Sequence, residues 1–85
     1  MSHNNVELFT TPTCPDCANL KRWLDAQGVV YVERDLRNPK IADQARNRTG
    51  VRIAPITIID GKALWGPVAG QIARLRPLIA AAHAH

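Results

Sequence analysis

The chain contains two cysteines, Cys14 and Cys17, which lie three positions apart. An apolar run at residues 6–9 precedes them, and an amphipathic segment follows them. A Cys-x-x-Cys pair between a strand and a helix is typical of thiol–disulfide exchange, in which two thiols alternate with a disulfide. The spacing therefore predicts a redox-active pair.

The neighbouring residues predict different roles for the two cysteines. Pro15 suits the first position of a helix, which makes Cys14 the N-cap. There the Cys14 sulfur faces the unpaired N–H groups of Asp16 and Cys17 at the positive end of the helix dipole, and this favours a thiolate over a thiol. We predict that Cys14 is the nucleophile. Cys17, one turn further on the packed face, is the resolving thiol that attacks the mixed disulfide.

Two charged residues are expected to tune the activity of the pair. Asp16 repels a neighbouring thiolate, which would destabilise the reduced form and make the protein a stronger reductant. Lys21 lies one helical turn beyond Cys17 and would offset part of this repulsion. The balance depends on distances, so both directions stay open at this point.

Metal binding and a chance pair of buried cysteines are the alternatives for the Cys-x-x-Cys segment. Structural zinc takes four ligands, and the histidines at positions 3, 83 and 85 all lie in the tails. Small Cu(I) metallochaperones also use a Cys-x-x-Cys, but without proline between the cysteines and with another order of strands and helices. We predict no metal at the site.

The length of 85 residues corresponds to one domain, because a core divided between two would be too small. We expect a single, monomeric domain over residues 1–85, with frayed tails at residues 1–5 and 83–85. The first five residues are polar without a following signal-peptide core, and no apolar stretch approaches the roughly 18–20 residues that cross a bilayer. These features predict a cytoplasmic protein without a membrane partner, in a compartment where close cysteine pairs are rarely structural.

The formal net charge is +4, and the basic residues are scattered along the chain. The aromatic residues are two Trp, one Tyr and one Phe, too few for a platform that stacks nucleic-acid bases. We therefore expect no nucleic-acid partner. The positive charge favours an acidic protein partner or an anionic small thiol.

Apolar periodicity and turn residues predict seven elements. Strands are expected at residues 6–10, 29–34, 56–59 and 62–65, and helices at residues 15–27, 39–49 and from residue 68. Gly28 suits the end of the first helix, and Asn38 before a proline suits the start of the second. The Asp-Gly pair at residues 60–61 is a strong hairpin signal. Pro77 is expected to kink the third helix or to split off its last turn.

The order of these elements is β-α-β-α-β-β-α. A helix between the first two strands predicts that they pair in parallel, whereas the strands of the closing hairpin pair antiparallel. The pattern therefore indicates an α/β fold with a four-stranded mixed sheet flanked by helices.

Across nearly its full length the chain resembles the glutaredoxin family. Residues 9–17 are similar to the family signature that ends in Cys-Pro-x-Cys, and Lys21 matches the lysine that follows it. Residues 28–35 resemble the Gly-Val-x-Tyr-x-x-x-Asp segment, and residues 49–55 resemble the Thr-Gly-x-x-Thr-Val-Pro loop. The resemblance implies the thioredoxin fold and a thiol–disulfide oxidoreductase whose redox-active group is its own cysteine pair, with no bound cofactor.

The resemblance also implies where a partner binds. Pro55 is expected in the cis form beside the cysteines, where it leaves the Ala54 backbone free to pair with a peptide or with glutathione. A proline that merely starts a strand is the plainer interpretation of this position. The residues expected to contact a partner are Pro12, Thr13, Arg52, Ile53, Ala54, Pro55 and Trp65.

Departures from the family pattern bear on the substrate. Asp16 stands where glutathione-binding members usually carry Tyr, residues 53–54 replace Thr-Val, and residues 64–70 contain no acidic residue to hold the glutathione amine. Trp65 resembles the Trp of the NrdH-redoxins, which serve ribonucleotide reductase and are reduced by thioredoxin reductase. The alternative role for Trp65 is to close the core. The Leu-x-x-Pro segment that begins at residue 64 is similar to mycoredoxins, which use mycothiol.

The sequence therefore predicts a cytoplasmic glutaredoxin-like dithiol oxidoreductase, active in electron transport and cell redox homeostasis. Cys14 attacks a disulfide on a small molecule or on a protein target, such as ribonucleotide reductase or another reductase, and Cys17 releases it. Thioredoxin reductase or a low-molecular-weight thiol, glutathione or mycothiol, restores the pair. The alternatives are a redox-sensing adaptor without turnover and a metal or iron–sulfur carrier, which Pro15 disfavours because cluster-binding relatives usually have Gly there.

Overall fold

The computed structural model describes residues 6–51 and 53–83, with side chains up to residue 80. The elements in these residues are β1 (Val6–Thr10), α1 (Pro15–Ala26), β2 (Val32–Asp35), α2 (Pro39–Thr49), β3 (Ile56–Ile59), β4 (Lys62–Trp65) and α3 (Val68–His83). The strand order in the sheet is β2-β1-β3-β4. β1 pairs with β2 in parallel and with β3 antiparallel, and β3 pairs with β4 antiparallel. This is the mixed sheet of the thioredoxin fold, as predicted.

Two short sequence signals act locally as expected. Asn38 caps α2, because its Oδ1 accepts the N–H of Lys40 over 3.0 Å. Asp60 and Gly61 have φ values of 48° and 85°, which are the left-handed conformations that a two-residue hairpin turn requires. The predicted starts of α2 and of the closing hairpin are therefore confirmed.

The sheet separates two groups of buried apolar side chains. The group on the face covered by α1 and α3 is Val6, Leu8, Leu20, Leu24, Val29, Ile59, Leu64, Leu75 and Ile79. The group on the face covered by α2 is Phe9, Ala45, Ile56 and Ile58. β1 contributes to both groups, because alternate residues of a strand point to opposite faces. The turn that carries the cysteines therefore follows a strand buried on both sides.

β2 begins at Val32 and not at residue 29, so this predicted boundary is wrong. The N–H of Val29 donates to the Leu24 carbonyl, and the N–H of Gly28 donates to the Asp25 carbonyl, both over 3.0 Å. These bonds complete the end of α1, as in the left-handed helix caps formed by glycine. Gly28 thus ends the helix as predicted, and Val29 belongs to the helix end as well, although the β-branched run that it begins suggested a strand.

α3 runs as one helix from Val68 to His83, so Pro77 does not split off its last turn. A proline at position 77 cannot donate to the carbonyl of Ala73. Both residues are exposed, so this carbonyl can bond to water and the helix tolerates the loss.

Of the predicted tails at residues 1–5 and 83–85, residue 83 is helical instead, and residues 1–5 and 84–85 lie outside the described residues. Across residues 6–51 and 53–83, no helix combines the length and the apolar character needed to span a bilayer.

Candidate active site

Cys14 occupies the N-cap of α1, as the sequence predicted. Its backbone is extended, with φ −94° and ψ 108°, and Pro15 is the first residue of the helix. The Cys14 Sγ accepts the backbone N–H of Cys17 over 3.1 Å, and the residue is half-buried. The bond and the positive end of the helix dipole both stabilise negative charge on this sulfur.

Cys17 lies one helical turn further on and has 1% of its surface exposed. Burial, followed by the hydrogen bond with the Cys14 sulfur, raises the pKa of Cys17 from 9.0 to about 12. Both cysteines are free thiols. Cys17 therefore retains its proton and lies deeper in the protein than Cys14, whose sulfur a partner can reach. This arrangement suits a first thiol that attacks the partner and a second thiol that reacts afterwards.

A polar cluster lies beside the cysteine turn. Lys21 Nζ pairs with Glu33 Oε2 over 2.9 Å, and the same oxygen accepts the Thr10 hydroxyl over 2.7 Å. The bond to Glu33 raises the pKa of Lys21, while the bonds from Thr10 and then Lys21 lower the pKa of Glu33. Together with Pro12 and Asp35, these residues line a cavity of about 380 Å³.

The geometry of the cluster bears on the predicted role of Lys21. The charge of Lys21 lowers the pKa of Cys17, but this is the smallest of the effects on that thiol. The Glu33 carboxylate, 2.9 Å away, compensates part of the positive charge. The expectation that Lys21 offsets Asp16 beside Cys14 stays a prediction.

A groove of about 320 Å³ lies beside the cysteine turn. Its walls come from one residue between the cysteines, the loop before β3 and the end of β4 with the turn after it: Asp16, Val51, Ile53, Ala54, Pro55, Trp65, Gly66 and Pro67. Apart from the Asp16 carboxylate, these side chains are apolar. The peptide bond between Ala54 and Pro55 is cis, as the resemblance implied.

Four of the residues predicted to contact a partner meet at this groove: Ile53, Ala54, Pro55 and Trp65. Pro12 lines the polar cavity instead, and Thr13 is exposed in the turn before Cys14. Arg52 lies outside the described residues. Trp65 is 46% exposed, which favours contact with a partner over a role in closing the core.

The sequence did not indicate every residue of this region. Val51, Gly66 and Pro67 line the groove. Of these, only Gly66 and Pro67 had a signal in the sequence, the Gly-Pro break directly after the last strand. Gln71 was also missed, although it is fully buried and bonds to the backbone of the groove. A polar residue on the apolar face of a helix was the available signal, because buried amides are normally hydrogen-bonded.

The metal-carrier alternative concerns the same cysteine pair. Within the described part of the chain, no three His, Cys, Asp or Glu side chains are grouped so that they could hold a metal ion. Residues 3 and 85 lie outside this part, as does the side chain of residue 83. Cys14 and Cys17 are thus the described ligands on which this alternative would depend.

A model of the glutaredoxin family matches residues 6–64, which include both cysteines, the polar cluster and the loop before β3. The chain belongs to the glutaredoxin family. Family and fold together make this glutaredoxin a thiol–disulfide oxidoreductase in general terms. The match ends at Leu64, so the wall of the groove formed by residues 65–67 lies beyond it.

Solved structures share the fold of this glutaredoxin. A thioredoxin-like protein has a TM-score of 0.75 and 25% identity over 84% of this chain and 99% of that chain. Buckwheat glutaredoxin, crystallised with glutathione, has a TM-score of 0.73 and 24% identity, with coverage of 95% and 81%. The glutaredoxin of Brucella melitensis has a TM-score of 0.67 and 27% identity, with coverage of 86% and 79%. In a comparison with curated proteins, none matched the sequence.

Proposed function

We propose that this member of the glutaredoxin family reduces disulfides of protein partners by a two-thiol mechanism. In the first step the Cys14 thiolate attacks one sulfur of the partner disulfide. The partner S–S bond breaks, its other sulfur leaves as a thiolate that takes up a proton, and a mixed disulfide with Cys14 forms. The observation that carries the proposal is the half-buried Cys14 Sγ at a helix N-terminus, 3.1 Å from the N–H of Cys17.

In the second step Cys17 attacks the Cys14 sulfur of the mixed disulfide. Cys14 then carries no negative charge, so its hydrogen bond and its Coulomb repulsion no longer raise the pKa of Cys17. The Cys17 proton passes to the departing partner thiolate, and the Cys14–Cys17 disulfide forms. Two electrons have then moved from the protein to the partner, which leaves with two thiols; one proton comes from Cys17 and the other from solvent.

The groove supports a protein disulfide as the substrate in preference to a disulfide of glutathione. Glutathione carries two carboxylates, and the Asp16 carboxylate at the edge of the groove repels them. The apolar walls at Ile53 and Trp65 suit the side chains that flank a disulfide in an extended peptide. Buckwheat glutaredoxin was crystallised with glutathione, and we expect this protein to couple to glutathione only weakly.

The repulsion of glutathione by Asp16 also bears on the choice of electron donor. Thioredoxin reductase or mycothiol would reduce the Cys14–Cys17 disulfide, with glutathione as a poorer donor. The proposed target is ribonucleotide reductase or another reductase that forms a disulfide during turnover. We place the reaction in the cytoplasm, where reducing conditions keep the dithiol available, and we expect a monomer to carry it out.

Two cysteine variants test the mechanism. Cys14→Ser should abolish the reduction of a disulfide-closed peptide, because the attacking sulfur is missing. Cys17→Ser should carry out the first step only and accumulate a mixed disulfide, visible as a mass increase that dithiothreitol reverses. Full activity of the Cys14→Ser variant would overturn the proposal.

A second experiment identifies the donor and tests the metal-carrier alternative. Oxidised protein is presented with glutathione and its reductase, or with thioredoxin reductase, while the loss of NADPH is followed. Rapid turnover with glutathione would show that the inference from Asp16 is wrong. Metal analysis and the absorbance spectrum of protein purified without air would reveal a bound metal or iron–sulfur cluster.

A further inference from the structure

Gln71 connects two wall segments of the groove from inside the protein. It lies in the first turn of α3 and is fully buried. Its Nε2 donates to the carbonyl of Pro55 over 2.8 Å and to the carbonyl of Gly66 over 3.0 Å. Its Oε1 accepts the Thr57 hydroxyl over 2.8 Å. Pro55 and Gly66 both line the groove, one in the loop before β3 and one in the turn after β4.

The sheet itself does not supply this connection. β3 and β4 pair as far as Ile56 and Trp65, and the next residue on each strand is Pro55 and Gly66. Both present a carbonyl to Gln71, and Pro55 has no N–H with which to continue the ladder. Two adjacent acceptors need two donors, and a primary amide supplies both from one nitrogen. An ionised carboxylate has no donor, and a hydrocarbon has neither donor nor acceptor.

We propose that Gln71 is a positioning residue that fixes the spacing between residues 53–55 and residues 65–67, and thereby sets the affinity for a peptide disulfide. The inference rests on the proposed function, because this spacing matters only if a partner peptide lies in the groove. A buried carbonyl without a partner is unfavourable, so each wall segment stays where the amide holds it. Gln71 touches neither the partner nor the two sulfurs.

The test compares a large and a small substrate in single turnovers. Reduced protein is mixed with a ten-residue synthetic peptide closed by a disulfide, or with bis(2-hydroxyethyl) disulfide, and the loss of protein thiols is followed. Gln71→Met keeps the approximate length of the side chain and removes the amide. We expect the half-saturating peptide concentration to rise about tenfold, with the maximal rate and the rate with the small disulfide within about twofold of the unaltered protein.

Two further variants sharpen the comparison. Gln71→Glu keeps the length and can still accept the Thr57 hydroxyl, but it cannot satisfy both carbonyls, because a carboxylate has no donor and a protonated carboxyl has only one, so it should behave like Gln71→Met. Arg76→Met is the matched control on the same helix. The Arg76 guanidinium lies over the Trp23 ring, 5.6 Å from its centroid, and away from the groove, so this change should leave both substrates unaffected.

The outcomes separate the inference from the proposed function. If the unaltered protein reduces neither disulfide, the proposed function itself fails. If it reduces both, and both Gln71 variants saturate with peptide as it does, the inference alone is overturned. An equal loss with the two substrates, or a loss of folded circular dichroism in both variants, would also overturn it, because Gln71 would then support the cysteine turn or the whole fold.

Discussion

The backbone N–H of Cys17 donates to the Cys14 sulfur over 3.1 Å. Cys17 therefore supplies the second sulfur of the pair and also the donor that holds the first one. The donor is part of the main chain, and the bond therefore does not depend on the Cys17 side chain. The two thiols differ in consequence: Cys14 is half-buried, whereas Cys17 is buried and has a pKa of about 12.

This difference predicts selective alkylation of the native dithiol. At pH 7 Cys17 is almost entirely protonated, because burial raises its pKa to about 12. Iodoacetamide should therefore modify Cys14 and leave Cys17 unmodified, also after the pH is raised to 9. Mass spectrometry of proteolytic peptides gives the two extents. The same reaction in guanidinium chloride should modify both residues, and equal modification in the native protein would contradict the prediction.

Asp16→Asn is expected to improve the coupling to glutathione. The change removes a negative charge from the edge of the groove, so the anionic thiol approaches the Cys14–Cys17 disulfide more easily. We expect a rate increase of about threefold at low ionic strength that fades in 0.5 M salt, because exposed charges are screened. NADPH oxidation in the presence of glutathione and its reductase measures the rate. Asp43→Asn, an exposed carboxylate paired with Arg46, is the control that should change nothing.

Trp65→Ala is expected to weaken peptide binding. Trp65 forms an apolar wall of the groove and is 46% exposed, so a partner peptide can bury much of its ring. Loss of an aromatic contact of this kind should raise the half-saturating peptide concentration about tenfold and leave the reaction with bis(2-hydroxyethyl) disulfide unchanged. Val30→Ala, at a residue that is 83% exposed before β2, serves as the control. Equal effects of the two variants would count against the groove as the binding site.

Much of the fold follows from local signals in the sequence. Pro15, Asn38 and the Asp-Gly pair at residues 60–61 act over a few residues, and their consequences are seen where they were predicted. The start of β2 could not be placed in this way, because the hydrogen bond from Val29 to Leu24 competes with strand pairing. Such competition between two backbone arrangements is decided by the packing of the whole domain.

The candidate site likewise has one part that follows from local sequence signals and another part that depends on the whole fold. The cysteine turn is local, and its predicted geometry is observed at the N-cap of α1. The groove joins segments that are distant in the sequence, so the contribution of Val51 was not visible beforehand. Gln71 was missed for another reason, since its partners Thr57 and Pro55 become neighbours only when α3 packs on the sheet.

Glu7 provides a prediction about stability. Its side chain is 12% exposed and bonds to Arg48 on α2 and to Arg34 on β2. The bonds from Arg48 and then Arg34 lower the pKa of Glu7 from 4.5 to about 2, against the opposing effect of burial. A lowered pKa stabilises the folded protein above pH 4.5, and this contribution is lost as the pH falls from 4.5 towards 2.

Glu7→Gln should therefore reduce the free energy of unfolding by about 2–3 kcal/mol at pH 7. The difference from the unaltered protein should shrink below pH 4.5 and become small near pH 2, where about half of the Glu7 side chains are protonated in the folded protein. Urea unfolding at pH 7, 4 and 2 measures it. A difference at pH 2 as large as that at pH 7 would assign the effect to packing instead of charge.

The position of β1 between β2 and β3 has a consequence for biosynthesis. The cysteine turn leaves the ribosome well before the loop at residues 53–55 and the turn at residues 65–67. A nascent chain therefore presents both thiols while no wall restricts access to them, and its first strand cannot complete its pairing until β3 has emerged. Until these later segments have packed on the sheet, an oxidant can reach the Cys17 sulfur as readily as that of Cys14.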